Sequence, residues 1–348
     1  MQVSDQEFDY VIVGGGSAGC TLAGRLTEDE NITVCLLEAG PGKQTNSVRM
    51  PAGIMDLMKS DSYNWKFETA PQKNLNNRRM FWPRGRTLGG SSAINAMVYI
   101  RGHKWDYDHW ASLGNAGWGY DDVLPIFRRS QNQERGGDDF HGAGGPLNVA
   151  DLRSPNPLAH ILVDAAVETQ IRRNDDFNGA EQEGAGLYQV TQKNGQRCSA
   201  YHAFLEGKER QNLFVVDAAH ATRVLLDGKR ATGVEYRRGD DTLTVRARRE
   251  VILSGGAVNS PQLLQLSGIG AGAELSQQGI DVAHELPGVG ENLQDHLDLS
   301  TVCSTRDALG FAFTAKGLGM ALKGLYQYAT SKTGLLTSNF AESGAFVR

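Results

Sequence analysis

An α/β fold is the class this sequence predicts, and three observations carry the prediction. A short apolar run, Phe8 to Val13, leads through a glycine turn into helical periodicity from Ser17 to Glu28, and a second buried run, Ile32 to Leu37, closes a β-α-β unit. Far along the chain, Leu213 to Leu253 reads as strands, LFVVD, ATRVLL, ATGVEY, TLTVRA and EVILSGG, with a turn at Asp227-Gly228-Lys229-Arg230. Glycine, at 42 of 348 residues, stands well above its usual share of about 7%, so many positions need positive φ or a close backbone approach. Together these predict a Rossmann-like parallel unit interrupted by a small antiparallel β-meander.

The remaining elements follow in order. Met50 to Gly102 mixes tryptophan, proline and arginine with little periodicity, which predicts extended segments and loops. Asp121 to Gln133 reads as a helix with acids at its start and arginines near its end, matching the macrodipole. Asn156 is the predicted N-cap, and Pro157 the first residue, of a helix reaching about Gln170 with Leu158, Ile161, Leu162 and Ala165 on one face. Ser260-Pro261 is predicted to open a helix through QLLQLSG that stops at Gly268.

Bulk properties narrow the function. A formal charge of -5 with scattered cations leaves no electrostatic footprint for nucleic acid or an anionic membrane surface. No run of 18 or more apolar residues predicts a membrane span, and the first residues lack a basic signal-peptide start. Cys20, Cys35, Cys198 and Cys303 show no C-x-x-C spacing, so all four are expected as buried structural thiols of a cytoplasmic protein without a bound metal. Small-molecule chemistry is the remaining class.

Gly14, Gly16 and Gly19 form G-x-G-x-x-G between the first strand and helix. The first permits the tight turn, the second lets a pyrophosphate reach the backbone, and the third lets helix and strand pack closely. Ser17 and Ala18 open the helix, whose N–H groups and partial positive charge suit phosphate. Glu38, followed by Ala39, ends the second strand, 19 residues after Gly19, where a carboxylate can accept from a ribose. The alternative is a tight turn with no ligand; strand, helix and acid in the right order favour a dinucleotide, without separating NAD from FAD.

The stretch WPRGRTLGGSSAINAMVYIRG, Trp82 to Gly102, sets Gly89 and Gly90 beside Ser91, Ser92 and Asn95, donors suited to the polar edge of a second group. From Gly85 to Gly102 it resembles the first signature of the glucose-methanol-choline (GMC) flavoprotein oxidoreductases. Gly256 to Gly270, GAVNSPQLLQLSGIG, resembles the second. DYDHWASLGNAGWGYDDVLPIFRRS, HGAGGPLNV, YQVTQKNGQR and LPGVGENLQDHLD also resemble family text, closest to its choline-dehydrogenase-like and alcohol dehydrogenase branch.

The resemblance implies a Rossmann-like FAD-binding domain over residues 5–305, with substrate-side insertions around 151–195, and the beginning of an α+β substrate domain over 306–348. It implies FAD on Gly14, Gly16, Ser17, Ala18, Gly19, Glu38 and Ala39, with Gly90, Ser91, Asn95, Ala96, Met97 and Val98 along the flavin. Ala221 stands where relatives often have a valine touching adenine through its backbone. Ile94 stands where some relatives carry a flavin-linking histidine, so the FAD is expected to be non-covalent. The implied chemistry is oxidation of a primary alcohol, choline-like, aliphatic or aryl, with oxygen, a quinone or a protein as electron acceptor. The alternatives are a non-catalytic FAD-binding fragment and a hydroxynitrile-lyase-like relative.

None of the eight histidines stands in a spacing that marks a base or metal ligand, so each is expected as a surface or satisfied structural group, His296 as a packing residue. In the family the catalytic histidine comes from beyond the second signature, in an H-P-x-G-T-like stretch that is not found here. The chain is therefore expected to be a truncated, inactive piece with no catalytic residue of its own.

Overall fold

The computed structural model describes residues 6–303 and 315–347. They form two compact units, each built from several stretches of chain. Residue 5 and residues 305 and 306, the expected domain limits, lie outside the described residues.

The first unit takes residues 1–44, 58–94 and 200–302. Its sheet joins β1 (Glu7–Val13), β2 (Val34–Leu37), β3 (Leu213–Val216), β4 (His220–Asp227), β5 (Arg230–Arg238) and β6 (Asp241–Leu253) in the order β3-β2-β1-β6-β5-β4. β3, β2, β1 and β6 run parallel, and β6, β5 and β4 are antiparallel. Val11, Ile12, Val34, Cys35, Leu36 and Leu37 are buried, as both faces of a parallel layer require. α1 (Ser17–Leu26) connects β1 to β2, and the fold class matches the α/β expectation.

The meander differs from the expectation in one respect. TLTVRA and EVILSGG are one 13-residue strand: Asp241 to Arg246 pairs with β5, while Arg246 to Leu253 pairs with β1. The meander therefore continues into the parallel layer instead of interrupting it. No glycine or proline breaks β6, and the Arg248-Arg249 pair that resembles a loop in sequence is met by two acids of β1, Asp9 at 3.2 Å from each arginine and Glu7 at 3.6 Å from Arg248. The Asp9 carboxylate also accepts from the Thr33 backbone N–H at 2.8 Å.

The second correction concerns α2 (Gly256–Leu266). Its N-cap is Gly255, not Ser260, and Pro261 lies inside the helix. The start is decided by tertiary approach: a Cβ on Gly14 would stand 2.6 Å from Ser254 O, and the Ser254 hydroxyl donates to the carbonyls of Val13 and Gly14. That contact places the helix start at the following glycines. Gly268, φ +83, ends it as expected.

The second unit takes residues 45–57, 95–199 and 303–348. Tyr120–Ser130 is helical, but Gln131–Gln133, expected to extend that helix, forms a strand beside Leu147–Val149. In the Pro157–Glu168 helix Asn156 caps as predicted, accepting from Leu158 N at 2.9 Å. The buried face is Ala159 and Val163, whereas Ile161 and Leu162, expected to be covered, are exposed. Small residues let this helix approach its neighbours closely, and periodicity alone favoured the bulkier ones. Ser343–Phe346 pairs antiparallel with Gly184–Leu187.

Cys20, Cys35 and Cys198 are buried, and none of the four cysteines is in a disulfide; Cys303, expected to be buried, is exposed.

Candidate functional site

Within the first unit, a cavity of about 960 Å³ opens at the carboxyl ends of the parallel strands. Gly14 turns the chain with φ +100, and the space beside it is closed by Ser254. Gly19 does not line the cavity: a Cβ there would stand 1.9 Å from Gly14 O, so its role is close packing of the first helical turn on the glycine turn. Gly16 is the open one. A Cβ on it meets nothing nearer than 3.9 Å, and it lines the cavity with Ser17 and Ala18. No side chain caps α1 and its first turn holds no acid, so its N-terminal N–H groups are available to an anion.

α2 presents a second helix start to the same cavity, through Gly255, Gly256, Ala257 and Val258, again with no side-chain cap and no acid in its first turn. Arg84 adds a cation to the lining. Two helix N-termini and an arginine around one space suit an extended, doubly negative group.

Glu38 is the one carboxylate in the lining. It is buried, its Oε2 accepting from Gly15 N at 2.9 Å and its Oε1 from Gly40 N at 2.7 Å. Burial raises its pKa above the ordinary value, against the opposing effect of those two N–H groups and of Arg86. Each oxygen keeps a lone pair for a ligand hydroxyl. Ala39, Gly90, Ser91 and Ala221 complete the predicted residues that line the space.

An aromatic corner bounds the lining. Trp65 stacks on Phe67 at 5.7 Å and meets the His220 ring edge-on at 5.5 Å. Burial, with Arg86 and Arg237 nearby, pushes the His220 imidazole below its ordinary value. A neutral ring beside two aromatics is a surface for a flat heterocycle.

Asn95, Ala96, Met97 and Val98 are not in this lining; they belong to the second unit. There Met97 is buried with φ +59, a conformation that L residues rarely adopt. Arg197 Nη1 donates to the Asn95 side chain at 2.9 Å, Asn339 Nδ2 to Ala96 O at 2.7 Å, and Thr191 N to Met97 O at 2.8 Å. Three clamps thus hold the strained turn.

The other histidines sit apart from the cavity. His103 caps a helix through Nδ1, and buried His141 pairs with Asp176 at 2.8 Å. His296, expected to pack, is exposed.

A family model described as GMC oxidoreductase matches residues 8–298. The chain belongs to the GMC oxidoreductases. It is 50% identical over 347 residues to an alcohol dehydrogenase [acceptor] of Pseudomonas putida, covering 98% of this chain and 62% of that one. It is 42% identical to an oxygen-dependent choline dehydrogenase of Pectobacterium atrosepticum, with the same coverage. Among solved structures, a formate oxidase variant of Aspergillus oryzae superposes with a TM-score of 0.88 at 30% identity, over 100% of this chain and 62% of that one. A pyridoxine 4-oxidase of Mesorbium loti superposes with a TM-score of 0.77 at 35% identity, over 80% and 55%. The chain thus spans about 62% of the length of the curated GMC relatives it matches.

Sequence reasoning missed Trp65, Arg84, His220, Ser254 and the Gly255–Val258 helix start as lining residues of this GMC chain. The second signature carried a signal for the last of these, since Gly255-Gly256 follows a strand and precedes a helix as Gly14 to Gly16 does. The aromatic corner has no local signature.

Proposed function

We propose that this GMC chain holds a non-covalent FAD and belongs to an oxidoreductase that acts on the CH–OH group of a primary alcohol. The observation that carries the reading is the pair of uncapped helix starts, at Gly16 and Gly255, on one cavity whose lining backbone at Gly16 has room for a ligand. The pyrophosphate would lie against Ser17 and Ala18 with Gly19 packing behind them, the adenine ribose against Glu38 and Ala39, and the adenine near Ala221. Gly90 and Ser91, which line the same cavity, would face the rest of the cofactor. Bound FAD supplies a hydride acceptor for alcohol oxidation.

Ile94 is a buried aliphatic residue and offers no atom for a covalent flavin link, which supports the dissociable mode. We assign no base to this chain, because His220, the one histidine in the lining, sits in the aromatic corner. The partners proposed are a small-molecule alcohol and an electron acceptor, oxygen, quinone or protein. No helix among the described residues is long and apolar enough to cross a membrane. Three buried thiols accord with a cytoplasmic placement.

The test is to titrate the purified protein with FAD, record the visible spectrum, precipitate with acid, and repeat under anaerobic conditions with a primary alcohol. A saturable shift of the flavin bands, with all flavin in the acid supernatant, is expected, and the bands should not bleach with alcohol. Absence of binding would overturn the cofactor assignment, flavin retained in the pellet would overturn the non-covalent mode, and bleaching would reveal a base in this chain.

A further inference from the structure

The second unit holds a cavity of its own, of about 330 Å³, lined only by residues between Arg101 and Gln182. Tyr120, Leu124, Phe140 and Phe177 give it apolar walls. Arg101 is the one buried cation in the lining, at 6% exposure, while His103 and Lys104 are exposed.

The environment of Arg101 is incomplete as a structural one. Its Nη1 donates to Phe140 O at 2.8 Å, its Nη2 to Gln131 Oε1 and its Nε to the Tyr99 hydroxyl at 3.4 Å, and all three acceptors are neutral. A guanidinium has five N–H bonds, so two are left without a protein acceptor. No carboxylate pairs with Arg101 among the described residues; Asp176 is reached through Gln131 and then His141. Asp121 and Asp139 also line the cavity, but both are exposed, where water screens them, and Asp121 stands 3.8 Å from Lys104. A buried charge without a counter-ion is costly, and an anion in the cavity would relieve that cost.

The arginine is also fixed in advance. Its backbone N–H donates to Asn178 Oδ1 at 2.7 Å, its carbonyl accepts from Gln182 Nε2 at 3.0 Å, and its guanidinium carbon lies 5.1 Å from the Phe127 ring centre and 5.7 Å from that of Tyr99. Little freedom remains to be lost when a ligand arrives.

We propose that this cavity binds a small organic monocarboxylate with an apolar body, its carboxylate on the two remaining N–H bonds of Arg101 and its body against Phe140 and Phe177. The planar fork of an arginine matches a carboxylate, and a single buried cation balances a single negative charge. Phosphate would bring more charge than Arg101 offsets, and would set it against apolar walls.

The 348-residue protein is titrated calorimetrically with benzoate, with benzamide as its uncharged counterpart, and with inorganic phosphate, alongside the variants Arg101→Gln and Ala180→Trp. Ala180 is an exposed lining residue outside the arginine's hydrogen bonds, so tryptophan there fills the cavity from its rim and leaves the buried network in place. Saturable benzoate binding is expected, with benzamide and phosphate weaker by about tenfold or more, and each variant should weaken benzoate by about tenfold or more. No benzoate binding, or benzamide or phosphate binding as tight as benzoate, overturns the proposal. So does benzoate affinity that either folded variant leaves unchanged, which would place the benzoate elsewhere on the molecule. If thermal melting shows R101Q to be unfolded at the titration temperature, A180W alone decides.

Discussion

Replacing Gly16 with alanine separates the two uses of the glycine turn. Gly16 has φ -77 and ψ -161, which alanine adopts freely, and the added Cβ meets no atom nearer than 3.9 Å. Reduced freedom of the unfolded chain favours the variant by about 0.4–1 kcal/mol, and the weaker N-cap costs a similar amount, so the ligand-free protein should hold its stability to within about 1 kcal/mol. Gly19→Ala is the contrasting variant, since its Cβ would stand 1.9 Å from Gly14 O and the turn must move. If FAD lies where we propose, the Gly16 methyl displaces the pyrophosphate from the N–H groups of Ser17 and Ala18. Losing even one charge-assisted hydrogen bond, about 1.5–3 kcal/mol, weakens FAD binding by roughly 10- to 150-fold. The assay is fluorescence titration with FAD, paired with thermal unfolding without it. G16A binding FAD as tightly as the parent, or melting as early as G19A, would refute the reasoning.

Three further outcomes follow from the same geometry. Asp9 is held at a pKa of about 2, first by the Thr33 N–H and also by Arg248, against an ordinary value of 3.8. A depressed carboxylate contributes stability that is present above about pH 4 and lost as pH falls through 2; the shift corresponds to about 2 kcal/mol, reduced to about 1 because the covering arginines are 46% and 52% exposed. Denaturant unfolding should show Asp9→Asn destabilised at pH 7 and level with the parent near pH 2. Glu38 shifts the other way, so its contribution is complete below its unfolded value and fades as pH rises through the raised one. Glu38→Gln should remove that slope from urea midpoints measured upward from the ordinary carboxylate value of 4.5, and an unchanged slope would show that other groups produce it. Native protein should react rapidly with a thiol reagent only at Cys303, since burial pushes Cys20 and Cys35 up to about 12 and Cys198 is covered; more than one fast thiol would contradict the described packing.

Local chemistry along the chain was enough to determine the β-α-β start, the Gly14 to Gly19 turn, the acid at Glu38, and the caps at Asn156 and Gly268. Each rests on interactions within a few residues: φ at a glycine, a side chain reaching the next N–H, alternation on a short strand. Tertiary structure decided the rest. Whether Arg248-Arg249 ends a strand depended on Asp9, some 240 residues earlier, and where α2 begins depended on the approach of Ser254 to Gly14. Which face of the Pro157–Glu168 helix is buried depended on close approach at Ala159 and Val163, a property that hydrophobic periodicity does not encode. The aromatic corner of Trp65 and His220 exists only because distant segments pack in one arrangement.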